Sequence, residues 1–574
     1  MNLISTGTLR EIKKAAPWLM ALVMISVSVA LKCQTIVHFD SNDDPGMMMT
    51  AGGILSSVAP SEDLIHTSPL IGLALKHLYT TFPGLPWYAL YLYSLTLLYL
   101  GLCVYVVVNI TGGTVWSCFV ILLFLVPFVS HALVTLQFTL VAFNLTSVAL
   151  FVSLEQLNHT ASNWLKLAFA LLLTFVAGCV RVRLQGVFPV GLLVFAFWLP
   201  WFAVSLRKPE QRRWAGISFS MLFFAILFLP RAISDFYYRN SPEWATFYED
   251  NAARGRLLNT SLSRIDATQS RLTEVLKKTG WSVNDLQLAQ SWFLADRKTY
   301  SGERMNRFCQ LALPAKLHYG VWATVKRNTL GYWQYTGCFA LLVCYLSLRR
   351  PTLRHICLQV ANVSYVFLLL VYIGVVTKTV DRMVLPVILT GVMISIYIYS
   401  RLAGEKSDAK TKAARAFVTT VGAFVATLLV VVQLYCLNDS AREVNEGRVR
   451  LLNYIDELTR INPTGYYVSW GGYLGEQWWP PFSRETESRS GIKVIRIGGI
   501  TGSPISDRWT RSLGFEDLTD ALIQRRDVYV LASEASMKRL MTFYREHRGI
   551  RARYDRLGGN DYDVWQVARS RRIK

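Results

Sequence analysis

Long apolar runs alternate with short basic or polar stretches through most of this chain, and only beyond residue 437 does the pattern shorten to strand-length alternation. A run of roughly 20 apolar residues is what a helix needs to cross the ~30 Å hydrocarbon core of a bilayer. About eleven runs reach that length, near residues 16–36, 86–108, 114–131, 134–154, 164–180, 186–206, 214–232, 328–348, 356–376, 383–400 and 416–436. The first is too long, and too poorly followed by a small-residue cleavage site, for a removable signal peptide, and is expected to stay as a helix. The expected fold is a polytopic α-helical membrane protein of about eleven transmembrane helices. Amphipathic loop helices, at Met47–Leu55 and Leu70–Tyr79, are expected to lie on the outer membrane surface. The tail alternates strand-like runs (Tyr466–Trp470, Lys493–Ile497, Val528–Ala532, Asp563–Val567) with helical patterns (Phe515–Arg526, Glu534–Arg545), which predicts a C-terminal α/β soluble domain. Domain boundaries follow: 1–436 transmembrane, 437–574 extracytoplasmic.

Charge sets the orientation. Arg10, Lys13 and Lys14 precede the first run, Arg207 to Arg213 separate the sixth and seventh, Arg349 to Arg354 the eighth and ninth, and Arg401 to Arg415 the tenth and eleventh. All four patches fall on one side if the N-terminus is cytoplasmic, as positive-inside topology requires. The net charge of +22 is therefore chiefly a topology signal, divided among loops rather than gathered into a stripe with interleaved aromatics, so no nucleic-acid partner is expected. Nine cysteines without CxxC spacing indicate neither a disulfide framework nor a zinc site. Three large pieces then lie outside: residues 37–85, 233–327 (with helical periodicity over Arg254–Lys278) and the tail.

Within the first of these the order of residues becomes specific: Asp40, Asp43 and Asp44, a helical stretch, then Asp63, His66 and Pro69 in DLIHTSPLIGLALKHLYTTFPG. This order resembles the GT-C superfamily of membrane glycosyltransferases, in which an acidic pair follows the first span and an HPPL-like segment continues into an apolar helix. The matching stretch here is His66-Thr67-Ser68-Pro69-Leu70. The many spans, the long outer loop of the second half and the outer C-terminal domain are similar too. The resemblance implies an inverting glycosyltransferase with a polyprenyl-phosphate-linked sugar donor in membrane lipid. Its acceptor would be a hydroxyl on a cell-envelope glycan, lipid or protein, at the outer leaflet of a membrane such as the bacterial inner membrane.

Such a transfer needs a base for the acceptor proton and cations for the departing phosphate. Asp43 and Asp44 are the candidate catalytic carboxylates, with His66 as an orienting partner. Asp44 before Pro45 also reads as a helix N-cap, which leaves Asp43 the freer of the two. A divalent metal shared by the pair is the one cofactor considered, with no third ligand marked by spacing. Arg181 and Arg183, and Lys378 and Arg382, place positive charge at outer span ends against the inside bias, which suits a donor phosphate; snorkelling, or pairing with Asp381, is the bland alternative. Asp235, Trp478 and Trp479 are weaker candidates for acceptor or sugar contacts, the tryptophans reading equally as packing. Gly498, Gly499 and Gly502 read as a turn after a strand. Two other classes remain open: a glycan polymerase or ligase with a diphosphate-linked donor, and a lipid or glycan transporter, against which the absence of inverted repeats speaks.

Overall fold

Described in the computed structural model are residues 37–55, 58–110, 115–158, 164–182, 210–259, 262, 270–312, 331–349, 352–376, 380–401, 412–482, 491–558 and 563–569. The runs expected at 16–36 and 186–206, and the candidates Arg183 and Lys378, lie outside them. After a two-residue strand β1 (His38–Phe39) come two loop helices, α1 (Asp43–Gly52) and α2 (Pro69–Thr81). The expectation that both lie on the membrane surface fails for α1, whose residues Asp44 to Ala51 are all buried. In α2 only Pro69, Gly72, Leu75 and Tyr79 turn inward, at helical spacing, leaving Leu70 and Leu73 exposed.

The apolar runs become helices: α3 (Trp87–Ile110), α4 (Val115–Val134), α5 (Phe138–Asn158), α6 (Trp164–Val180) and α7 (Glu210–Arg239). Strand β2 (Thr135–Leu136) lies between α4 and α5 and pairs parallel with β1. The segment 233–327 supplies α8 (Pro242–Leu258), α9 (Ser270–Thr279), α10 (Val283–Gln290) and α11 (Gly302–Ala312). The continuous periodicity read over 254–278 belongs to two helices, since α8 ends at Asn259. Then follow α12 (Trp333–Arg349), α13 (Leu353–Val376), α14 (Asp381–Arg401) and α15 (Lys412–Ile461). Among the described residues six helical stretches are long and apolar enough to cross a membrane: Trp87–Asn109, Phe138–Gln156, Ser218–Arg239, Leu353–Ile373, Asp381–Ser400 and Thr420–Ile461. Exposed Met221, Leu368 and Phe424 give three of these helices apolar outer faces, which water disfavours and hydrocarbon accepts.

No linker separates the two expected domains. α15 is one helix of 50 residues, about 75 Å at 1.5 Å per residue, and it crosses the boundary read at 436/437 without interruption. The shift there from VVVQLYCL to NDSAREVNEG marks a change of surroundings along a single helix.

The tail is a five-stranded mixed sheet in the order β4-β3-β5-β7-β6, with β3 (Tyr466–Trp470), β4 (Lys493–Ile497), β5 (Val528–Leu531), β6 (Ala552–Arg556) and β7 (Val564–Arg569). The pairs β3·β4 and β3·β5 are parallel, β5·β7 and β6·β7 antiparallel. Helices α16 (Pro504–Ser512), α17 (Leu518–Gln524) and α18 (Glu534–Arg548) connect them. Period-two alternation divides the sheet between two cores. Tyr467, Val494, Tyr529 and Leu531 pack with Leu451, Tyr454 and Leu458 of α15, in the core shared with the membrane helices. Val468, Trp470, Ile495, Ile497 and Val530 pack with helices α8 to α11 and their connections, where Trp470 meets Phe293 at 4.6 Å and donates from Nε1 to the Ser291 carbonyl at 2.7 Å. The tail is thus built into the molecule on both faces.

Candidate functional site

The first loop is pinned where α4 gives way to α5. Strand pairing of His38 with Thr135 and Phe39 with Leu136 is extended by a bond from Asp40 N to the Leu136 carbonyl at 3.2 Å. Helix α1 begins directly afterwards, and its N-cap is Asn42, whose side chain makes no capping bond. Asp44 is therefore not the cap that Asp-Pro suggests. Its carboxylate is fully buried, and Oδ1 accepts from the Tyr88 hydroxyl at 3.0 Å and from the Phe138 amide at 3.2 Å, tying α1 to the starts of α3 and α5. Oδ2 has no hydrogen-bond partner among the described residues. Burial, reinforced by the charges of Asp43 and Asp40, pushes this carboxyl well above the usual range and so favours its protonated form.

The segment 66–70 works as a strap. Ser68 caps α2 with its hydroxyl and Pro69 occupies the first turn. Ser68 N donates to the Cys179 carbonyl at 2.8 Å, Thr67 Oγ1 to that of Val180 at 3.2 Å, and Val182 N to that of His66 at 3.2 Å. His66 is thereby fixed beside Arg181, and both lie on Phe138: the His66 ring is stacked at 5.8 Å and the Arg181 guanidinium sits 4.7 Å from the ring centroid.

The tail contributes Arg496 from β4. Its guanidinium lies over the first turn of α1, donating to the Asn42 carbonyl, with Nε 3.6 Å from buried Glu476. Gly46 makes room for it, since a Cβ there would stand 1.5 Å from Arg496 Nη1. Gly472 admits Asn42 in the same way, and its φ of +82° suits glycine besides. Buried Arg254 of α8 donates to the carbonyls of Gly499 and Thr501, each at 2.7 Å, and of Gly498 at 3.4 Å.

These elements enclose a cavity of about 510 Å³ whose charged lining is Asp43, Asp63, Arg181, Arg254, Arg382 and Arg496, with His66 beside them. Asp63 is occupied by Arg508 at 3.0 Å. Arg382, at the start of α14, stands between two carboxylates, 3.8 Å from Asp40 and 4.0 Å from Asp43. Burial alone raises the Asp43 carboxyl, but His66, Arg382, Arg181 and Arg496 together outweigh it and hold the group below the ordinary aspartate value. Asp40 goes the other way: burial, against the pull of Arg382 and with the push of Asp381 and Asp43, takes it up to about 6. The cavity thus holds Asp43 among cations that favour its ionised form, with Asp40 and Asp44, both raised by burial, beside and behind it. Separated pKa values of neighbouring carboxyls are how acid–base roles are divided.

Of the sequence candidates, Asp43, His66, Arg181 and Arg382 meet in this cavity. Asp44 supports it from behind. Asp235 does not line it; its carboxylate pairs along α7 with Arg231 at 3.4 Å and Arg239 at 3.9 Å. Trp479 is buried in the core, while Trp478 faces a second cavity. The divalent metal considered for Asp43 and Asp44 finds no shared cradle there, because Asp44 is turned to Tyr88 and Phe138. Among the described residues, the group of three potential ligands close enough to share an ion is Asp285, Glu546 and His547, where His547 and Asp285 already pair at 2.8 Å. Arg496, Arg254 and Phe138 were missed by sequence reading; an Arg in a strand pattern and a Phe in an apolar run carry no local mark of a site. No family model, curated protein or solved structure matches the chain.

Proposed function

We propose that this protein is an inverting membrane glycosyltransferase that moves a sugar from a polyprenyl-phosphate carrier to an acceptor hydroxyl. The observation that carries the reading is the placement of one ionised carboxylate, Asp43, in a cavity whose other charged groups are mainly arginines. Asp43 takes the acceptor proton as the hydroxyl attacks the anomeric carbon. Arg181, Arg382 and Arg496 hold the phosphate that leaves, its charge growing as the glycosidic bond breaks. His66 orients Asp43 and adds positive charge when protonated. Arg254 is committed to the loop carbonyls and holds the wall. The six membrane-length helices provide the surroundings a polyprenyl chain needs. About eleven spans, a cytoplasmic N-terminus and a cavity on the outer side complete the reading, with a bacterial inner membrane as the setting.

The test is Asp43→Asn in vesicles supplied with a radiolabelled polyprenyl-phosphate sugar. Removing a general base typically costs about a hundredfold to ten-thousandfold in rate. Transfer within a few-fold of wild type, by protein that still binds polyprenyl phosphate, overturns the assignment.

A further inference from the structure

A second cavity, of about 300 Å³, lies on the other side of Arg382, at the low end of small-molecule sites in size. Its lining has the opposite charge. Asp40, Asp381 and Glu443 face it, and no Lys or Arg is among its described lining residues. The amides of Gln334 and Gln433 also line it, and Trp478 forms a wall with its ring 5.9 Å from that of His38. Carboxylates and planar amides are donors and acceptors suited to vicinal hydroxyls, and an indole face suits the apolar C–H face of a pyranose ring. Phosphate is disfavoured by three carboxylates, whereas the arginine-lined cavity next door favours it.

We propose that this second cavity is a carbohydrate subsite that takes an uncharged hexopyranoside unit, and that it presents the acceptor sugar to Asp43. The naming of that sugar as acceptor rests on the glycosyl-transfer reading; the ligand chemistry rests on this cavity's own lining. The two cavities meet at Arg382, which reaches Asp40 at 3.8 Å on one side and Asp43 at 4.0 Å on the other. A sugar held in the second cavity lies beside Asp40, with the Arg382 guanidinium between that carboxylate and Asp43. Charge sorting keeps the anionic donor in the first cavity and the neutral acceptor in the second.

Cys436 lines the second cavity, with the Gln334 amide nitrogen 2.9 Å from its Sγ, and so reports on occupancy without any engineered label. The experiment is alkylation of the full-length protein in nanodiscs by a small maleimide, read at Cys436 by mass spectrometry, with exposed Cys344 as the internal control. The probes are the methyl α-pyranosides of glucose, mannose and galactose, with glucuronate and inorganic phosphate as anionic arms. At least one neutral glycoside is expected to slow modification of Cys436 about fivefold at four times its Kd, the factor following from simple competition, while Cys344 is unaffected. Trp478→Ala is expected to abolish the protection, Trp478→Phe to keep part of it, and Gln433→Ala to weaken it without loss of folding. No protection by any of the three neutral glycosides, or equal protection by glucuronate or phosphate, overturns the proposal. Protection by a neutral glycoside together with full activity of Asp43→Asn leaves the subsite standing and removes the transferase reading instead.

Discussion

The Arg496 guanidinium rests over the first turn of α1 in space that a Cβ on Gly46 would occupy, the two positions being only 1.5 Å apart at Nη1. A strand of the tail thus reaches into the first loop of the membrane region, where it supplies one of the cations around Asp43. Gly46→Ala is expected to push the guanidinium away. Overpacking of this kind costs about 1–3 kcal/mol, and a displaced phosphate ligand costs on the order of a hundredfold in turnover. Thermal unfolding and labelled-sugar transfer, measured on the same preparation, separate the two effects. An alanine variant as active as wild type shows that Arg496 has no part in donor binding.

Much of the architecture was legible because it follows from two periodicities. Apolar runs near 20 residues become helices wherever the described residues cover them, and four of the five strands of the tail sheet lie where alternation placed them. The missed strand, Ala552–Arg556, is an edge strand with mostly exposed charged side chains, so burial leaves little pattern in it. Asp43, His66, Arg181 and Arg382 were legible because charge beside a membrane needs a reason. Arg496 and Phe138 were not, since their roles arise from contacts between segments distant in sequence, Arg496 with Asn42 and Phe138 with Asp44, His66 and Arg181. The same blindness made Asp44 look like a cap: local sequence supplied Asp-Pro, while Tyr88 and Phe138 supplied the buried donors that outcompete capping.

Asp43 and Asp44 should therefore respond differently to amide substitution. Asp44→Asn keeps an oxygen for the Tyr88 hydroxyl and the Phe138 amide at a site where burial disfavours the charged carboxylate, so stability and transfer should stay within a few-fold of wild type. Asp44→Ala strands both donors and should cost about 1–3 kcal/mol. Circular dichroism melts of both variants beside Asp43→Asn check this. A rate loss in Asp44→Asn equal to that in Asp43→Asn shows that the proton sits on the wrong partner of the pair.

Under the proposed transfer Asp43 must be ionised to act, so the acid limb of the rate should report on it. His66 and the three arginines favour its charged form, so activity should persist below the ordinary aspartate pKa of about 3.9 and fall only as pH drops further. Replacing Arg382 with Gln removes one of those cations and should move the limb upward in pH. The measurement is kcat/KM against pH for wild type and Arg382→Gln. A limb that stays in place in the variant separates Arg382 from the base.

Arg254 makes a prediction about the cavity wall rather than the chemistry. Its three bonds to the carbonyls of Gly498, Gly499 and Thr501 hold a glycine-rich turn against the cavity. Arg254→Met retains the apolar stem but leaves those acceptors without their donor, at a cost on the order of 3 kcal/mol. Amide exchange in residues 498–502 should quicken in the variant, and donor KM should rise more than kcat falls. Unchanged exchange there means the turn is held by its own Thr501 hydroxyl bond to Gly498 N.

Asp40 gives the stability of the protein a pH dependence with a definite sign. Its carboxyl is raised in the folded protein to about 6, from an ordinary value of 3.8, so the folded state holds a proton that the unfolded chain has already released. The stabilisation from that proton is complete below pH ~4 and is lost as pH rises through about 6. At 1.36 kcal/mol per unit the change is on the order of 1–3 kcal/mol, tempered by the Arg382 guanidinium nearby. Other carboxyls titrate in the same window, so the quantity to read is the difference between wild type and Asp40→Asn. That variant should unfold at nearly the wild-type temperature at pH 4 and at a higher one at pH 7, because the amide carries no charge to desolvate. If instead Asp40→Asn is less stable than wild type at pH 7, the ionised Asp40–Arg382 pair stabilises the fold more than its burial costs, and the carboxyl is not raised in the folded protein.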